Sequence, residues 1–377
     1  MFPASEYKAR TARAQAMMAD RGIDALLLTT EPEVRYFTGY LTRFWESPAR
    51  PWFLVVPASR DPVAVIPTIG AALMGRTWIK DIRTWRAPDY DDDGVGLLAT
   101  TLRELGAAKV ATPMGLETHL RMPLDNFEML QKTIGSKIIS DGGIIPALRT
   151  IKSNAEIAAI QTACDVANRA FARVPEIAGV GVPLSTVFRK FQMLCLDEGA
   201  DFVPYLAGGA GQGGYDDVIS PASSVPLLDG DILMLDTGLT VNGYFCDFDR
   251  NFAVGSVTDA SQAAHGKLIG AVNAAMDIAK PGATAAQLFH AMDDIVTGGA
   301  GGSVTGRLGH GLGMQLTEWP SLIPVDQTVL VEGMVLTLEP GIDVGGGKML
   351  VHEENIVVTD TGARFLSAPY TWDMVVL

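Results

Sequence analysis

The sequence predicts a chain of two domains: a small α/β domain over residues 1–150 and an α+β domain over residues 151–377. Three observations lead there. A length of 377 residues exceeds what one ordinary hydrophobic core organises. Helical spacing and short apolar strands alternate up to Pro146, the pattern of an α/β unit. Beyond it a capping box opens a new helix, and two alternating runs flank an Asn-Gly turn.

In the first domain, residues 5–21 carry apolar side chains at helical spacing (Tyr7, Ala14, Met17, Met18) and stop at Gly22. Ile23 to Leu28 reads as a buried strand, followed by short apolar strands at Trp52–Val56 and Val63–Ile66. Leu97–Leu105 reads as a helix, and Lys109–Ala111 begins another strand before Pro113. The run FWESPARPW, residues 44–52, is stiffened by Pro48 and Pro51 and carries Trp45 and Trp52. It is either a rigid packed connection or a loop that walls a substrate pocket. Asp91-Asp92-Asp93 reads as a solvated loop.

The pattern changes between Leu148 and Ser153. Ser153-Asn154-Ala155-Glu156 is a capping box, after which Ile157, Ile160 and Cys164 recur at helical spacing. A second helix, Ser185–Glu198, buries Val187, Phe188, Phe191, Leu194 and Cys195 and ends at Gly199. The glycine-rich run 207–215 has no Lys-Ser or Lys-Thr after it, so it is no phosphate loop; its use is close backbone approach. Helices follow near 259–279 and 284–297.

Residues 231–254 organise the second domain. The alternating runs on either side of Asn242-Gly243 predict a tight β-hairpin. Closing the turn there sets Val241 opposite Tyr244, Gly238 opposite Asp247 and Asp236 opposite Asp249. Asp236, Asp247 and Asp249 then share one face. Carboxylates crowded on one strand face repel one another unless a cation lies between them. Cys246 alternates to the other face and reads as a buried thiol.

Composition removes several function classes. The formal charge is −14 with no basic run, which excludes nucleic acid and anionic membrane as partners. No apolar stretch approaches the ~20 residues of a membrane span. The N-terminus is charged and lacks the apolar core of a signal peptide. Cys164, Cys195 and Cys246 are an odd, scattered set, the expectation for reduced thiols in a cytoplasmic protein.

Three further clusters carry ligand types: His310 between Gly309 and Gly311, Glu339 at the end of the apolar strand Val335–Leu338, and His352-Glu353-Glu354 before the strand Ile356–Val358. Joined to the hairpin, they give the order Asp, Asp, His, Glu, Glu. An oxygen-rich set with one imidazole suits Mn, Fe, Co or Zn. Four carboxylates and one imidazole are enough to share between two divalent metal ions, ~3.5–4 Å apart in the usual clamp.

The segments LDTGLTVNGYFCDFDRNFAVG, GRLGHGLGMQLTEWP, EGMVLTLEPGI and HEENIVVTDTG, with the helix opening IKSNAEIAAI, closely resemble the pita-bread metallopeptidases. That superfamily contains methionine aminopeptidase, aminopeptidase P, prolidase and creatinase. The first domain resembles the creatinase/prolidase-type N-terminal domain more loosely. The resemblance implies a pita-bread catalytic domain over 151–377 and a dinuclear site with Asp236, Asp247, His310, Glu339 and Glu353 as ligands. It further implies Glu339 as the proton shuttle for a metal-bridging water, a short-peptide or small-molecule substrate, and a homodimer in which FWESPARPW borders the partner's site.

Two departures from the peptidase pattern stand out. The stretch 205–229 contains no His, and Thr317 stands where the peptidases carry a second His, seven residues after the metal His. Such donors are worth ~3–4 kcal/mol each in the transition state. Three functions follow: a metal-dependent hydrolase of a C–N bond, in an Xaa-Pro peptide or a small-metabolite amide; a lyase of the dimethylsulfoniopropionate lyase type; or a non-catalytic binding protein. Thr317 can donate one hydrogen bond. Asp249 either supplies a missing catalytic carboxylate or orients a ligand and pairs with Arg250. Trp319 lines the pocket or packs beside Pro320. His352 points away from the face that Glu353 presents.

Overall fold

The computed structural model describes residues 2–45, 50–300 and 306–377. The chain divides into two units, Met1–Arg149 and Thr150–Leu377.

The first unit is built on a six-stranded mixed sheet. Its strands are β1 (Ala25–Leu28), β2 (Phe53–Pro57), β3 (Val63–Pro67), β4 (Asp81–Trp85), β5 (Val110–Thr112) and β6 (Ile139–Ser140), in the order β4-β3-β2-β1-β5-β6. β1, β2 and β3 pair antiparallel; β4, β5 and β6 join in parallel. Every residue of β1, β2 and β3 is buried, which explains why they read as continuous apolar runs rather than alternating ones. Helix Ala4–Arg21 ends at Gly22 in the left-handed conformation, as the sequence predicts. Helices Glu31–Thr38 and Leu124–Ile134 and strand β4 add to the elements read from the sequence.

One expectation in this unit changes. The Asp91–Asp93 stretch does more than face solvent: the Asp92 carboxylate accepts from the amides of Gly94 (2.7 Å) and Gly96 (2.8 Å) and starts helix Val95–Glu104. In FWESPARPW, residues 46–49 lie outside the described residues. The flanks are packed: Trp45 lies 5.5 Å from Trp52 ring to ring, and Trp52 lies 5.5 Å from Tyr40. Arg121 sits over the Trp45 ring and donates to the carbonyls of Arg50 (2.6 Å) and Trp45 (2.9 Å).

In the second unit residues 207–212 of the glycine-rich run belong to a strand, β7 (Phe202–Gln212). It pairs with β8 (Asp231–Val241), which turns through β9 (Tyr244–Phe245) into β10 (Phe248–Ala253). Asn242 and Gly243 both take positive φ, 52° and 78°, the requirement of a tight two-residue hairpin. The register matches the sequence reading, with Val241 opposite Tyr244 and Asp236 opposite Asp249. A second sheet runs β12-β11-β13-β16-β17, from β11 (His310–Gly311), β12 (Glu318–Ser321), β13 (Val335–Leu338), β16 (Glu354–Val358) and β17 (Ala363–Phe365). β14 (Gly341–Gly345) and β15 (Lys348–Val351) form a hairpin, and β18 (Val375–Val376) edges β10.

Both faces of β8 are buried, for different reasons. Leu233, Leu235, Thr237 and Leu239 share one face with Phe248, whose ring packs 5.3 Å from Phe171 of helix Asn154–Ala172. Ile232 and Met234 lie on the other face, in a cluster with Leu268, Ile342 and Leu350, and Asp236 continues that face toward the turn. Helices Asp259–Ile278 and Ala285–Val296 cover the second sheet through Val272, Leu288, Phe289 and Met292 against Leu336, Leu338, Ile356 and Val358. Burying each such side chain contributes about 1.5–3 kcal/mol. The two sheets thereby become a rigid frame for polar groups that could not be buried alone.

Candidate metal centre

Asp247, His310 and Glu353 come together from three segments. Each offers one ligand atom, and those atoms lie within 4.8 Å of one another. His310 Nε2 is 3.5 Å from Asp247 Oδ2. The other ring nitrogen, Nδ1, donates to the Gly311 carbonyl at 2.8 Å, which leaves Nε2 free of a proton and aimed at the carboxylates. Burial and then the nearby Arg307 lower the His310 pKa to about 4, so the ring is neutral, as a ligand must be.

The glycines around His310 now have a reason. A Cβ on Gly309 would meet the Thr337 carbonyl at 2.2 Å, and one on Gly311 would meet the Trp319 carbonyl at 2.1 Å. β11 is wedged between β12 and β13, and only a residue without a side chain fits on either side of the ligand.

Asp236 and Glu339 flank this trio. Asp236 is buried on the hairpin face, and Glu339 directly follows β13, its amide donating to Leu308 O at 3.0 Å. Burial, then Asp249 and Glu339, raise the Asp236 pKa. Burial, then Asp236 and Glu339, do the same to Asp247. Glu353 is raised by burial and then by Asp247, Glu339 and Asp236. Glu339 is raised to about 7 by burial, against the pull of Arg307. Burial first, and then neighbouring carboxylates, thus disfavour negative charge on all four.

Asp236 Oδ1, Asp249 Oδ2 and Glu353 Oε1 are buried and have no hydrogen-bond partner. Orphaned carboxylate oxygens of this kind cost too much to leave unpaired. Divalent cations are the counterpart that the donor set fits: hard oxygens and one imidazole.

Glu353, not its neighbour, joins the cluster. Glu354 faces away and is consumed by Arg250 Nη2 (3.0 Å), His352 Nε2 (3.2 Å), Ser367 Oγ and the amide of Tyr370 (2.9 Å). Although burial opposes it, Arg250 and His352 pull the Glu354 pKa down to about 2. Asp249 touches the ligand set without being drawn into the trio. Its Oδ1 accepts the Glu353 amide at 3.1 Å and lies 3.4 Å from His352 Nδ1. Cys246 is fully buried, with Sγ toward the Thr237 carbonyl. The Thr317 hydroxyl accepts from Arg307 Nη2 at 3.2 Å.

Sequence reasoning missed several residues here. Arg307, three positions before His310, is the cation felt by Asp247, His310 and Glu339. Its place in GRLGHG was the only available signal. The buried pair of Lys152 and Glu318, 3.1 Å apart, anchors the loop after His310, because Glu318 Oε1 also accepts the amides of Met314 (2.9 Å) and Gln315 (3.1 Å). Tyr205, which shares the hairpin's carboxylate face with Asp236, carried no motif.

A carboxylate-rich, imidazole-bearing centre on a hairpin between two sheets defines a metal-dependent hydrolase of the pita-bread fold. Residues 158–360 match the metallopeptidase family M24, and residues 10–151 match the creatinase/prolidase N-terminal domain. This chain belongs to metallopeptidase family M24, in its creatinase/prolidase branch. It is 30% identical over 366 residues to the probable dipeptidase PepE of Mycobacterium bovis, covering 96% of this chain and 94% of that protein. The Xaa-Pro dipeptidase of Pyrococcus furiosus is 32% identical over 262 residues, 67% of this chain and 73% of that one. The crystal structure of dipeptidase PepE from Mycobacterium ulcerans superposes with a TM-score of 0.85 at 28% identity, covering 100% of this chain and 99% of that one. These relatives favour neither the lyase nor the binding-protein alternative. Among the described residues, no helix is long and apolar enough to cross a membrane.

Proposed function

We propose that this chain is a dipeptidase that hydrolyses the C–N bond of Xaa-Pro or similar dipeptides with two divalent metal ions. Asp236, Asp247, His310, Glu339 and Glu353 would hold the ions, with catalysis confined to residues 151–377 and residues 1–150 as the N-terminal domain. The observation that carries this is the convergence of Asp247, His310 and Glu353 among buried carboxylate oxygens that lack partners.

Divalent ions in such a site polarise the scissile carbonyl and lower the pKa of water. The protein's own groups do the rest. Glu339, partly exposed, takes the proton of the attacking water. The water oxygen bonds to the carbonyl carbon, and the carbonyl electron pair moves onto its oxygen. On collapse that pair returns, the C–N bond breaks, and Glu339 delivers its proton to the leaving nitrogen. Arg307, held by Thr317, offers a counter-charge for the dipeptide's free carboxylate. Asp249 fixes Glu353 through its amide and is a positioning group in this scheme.

The oxygen-rich donor set supports manganese as the metal. Three fully buried free cysteines support a reducing, cytoplasmic setting. The homodimer rests on the likeness to creatinase and prolidase. A panel of Xaa-Pro and other dipeptides, assayed with Mn²⁺ and with a chelator, tests the reading. Release of free proline that the chelator abolishes supports it; no cleavage of any dipeptide at any metal loading rejects it.

A further inference from the structure

β7 carries a one-residue bulge between Phe202 and Tyr205. Phe202 pairs with Thr240, yet Tyr205 pairs with Gly238, so three steps on β7 match two on β8. Without the extra residue Tyr205 would oppose Thr237 and point to the helix-covered face, because a one-residue slip exchanges the faces of a strand. The bulge turns Tyr205 onto the carboxylate face instead. Pro204, which has no amide to give to the ladder, lies within it.

Gly238 makes room for Leu316. A Cβ there would stand 2.1 Å from Leu316 Cδ1 and 3.3 Å from Tyr205 Cβ. The register on both sides of it, Thr240 with Phe245 and Thr237 with Phe248, sets Asp247 across from Gly238 on β8's other edge. Tyr205, Gly238 and Asp247 therefore form one cross-strand row, with Leu316 packed over its middle. The register sets Tyr205 on the same face as Asp236, and Tyr205 is only half-buried there.

We propose that Tyr205 is a catalytic residue of this enzyme: its hydroxyl donates to the oxygen that becomes negative when water adds to the scissile carbonyl. This rests on the dipeptidase reading. It answers the two departures in the sequence, since the stretch 205–229 has no imidazole and Thr317 is engaged by Arg307. A phenol is a hydrogen-bond donor of the kind an oxyanion site requires.

The test is Tyr205→Phe, which keeps the ring and removes only the hydroxyl, measured beside the wild type in the Mn²⁺-loaded full chain. Dipeptide kcat should fall about 10²-fold or more, with KM nearly unchanged. Calorimetric Mn²⁺ affinity should stay at the wild-type value, and a phosphinic dipeptide analogue, which mimics the oxyanion, should bind more weakly. A kcat within about threefold of wild type overturns the proposal. So does a kcat loss matched by a loss of Mn²⁺ affinity, since Tyr205 would then act only by holding Asp236. A wild-type chain inactive on every dipeptide rejects the dipeptidase reading itself, and this proposal with it.

Discussion

Asn355 holds Asp247 by both of its backbone groups. The Asn355 side-chain oxygen accepts the Asp247 amide at 2.9 Å, and the side-chain nitrogen donates to the Asp247 carbonyl. The grip falls where the hairpin ladder lapses between β9 and β10, two residues along the chain from Glu353. One fully buried amide thereby sets the spacing between two of the converging carboxylates.

Asn355→Ala should therefore weaken metal binding about 10–100-fold, the usual effect of removing a group that orients a ligand. Unfolding free energy should fall by about 1–3 kcal/mol, from the two buried backbone groups left unpaired. Mn²⁺ titration of chelator-stripped protein measures the first and denaturant unfolding the second. A loss of stability with unchanged affinity would show that the grip is structural only.

Asp249 separates two roles. As a positioning group, it ties the Glu353 amide and His352 together, and Asp249→Ala should lower Mn²⁺ affinity and kcat together. As a proton carrier, it would lose kcat with affinity intact. The geometry predicts the first result, by about 10–100-fold in affinity.

Metal removal should invert the pH response of stability. In the stripped protein, Glu339 has its folded pKa raised from 4.5 to about 7, and Asp236, Asp247 and Glu353 are raised as well. A carboxyl raised on folding stabilises the native state below its unfolded pKa and loses that contribution as pH rises through the folded value. His310 and His265, both lowered from 6.5 to about 4, act in the opposite sense, but only below pH 6.5. The stripped protein should thus lose Tm on going from pH 6.5 to about pH 8, and Mn²⁺ should restore most at the higher pH. Thermal scans with and without metal at the two pH values decide this; a Tm of the stripped protein that rises with pH would contradict it.

Arg307→Ala should raise KM for dipeptides about 10–100-fold, the worth of a charge-assisted pair at ~1.5–3 kcal/mol. Dipeptide amides, which lack the free carboxylate, should bind no worse in the variant than in the wild type. Steady-state kinetics on matched acids and amides measures this.

The hairpin was legible because its signal is local. Asn242-Gly243 fixes the turn, the turn fixes the register, and the register places Asp236 and Asp249 opposite one another. His310 and Glu353 were legible as residue types in the right order. What escaped depends on long-range geometry. The bulge that turns Tyr205 is marked in the sequence only by Pro204, in a strand with a weak alternating pattern. His352 and Asp249 lie far apart in sequence and meet because His352 stands in the link from β15 to β16, whose Glu353 amide Asp249 also holds. Arg307 is a long, flexible side chain, and spacing alone does not say where its charge ends.

The most direct measurement is the metal content per chain of protein purified without added metal, for wild type and Asp247→Ala, with dipeptide turnover on the same samples. About two equivalents of divalent ion in the wild type are expected, falling in the variant together with cleavage. A wild-type chain that holds no metal, takes up none from added Mn²⁺ and gains no dipeptide cleavage from it would contradict the metal centre described above.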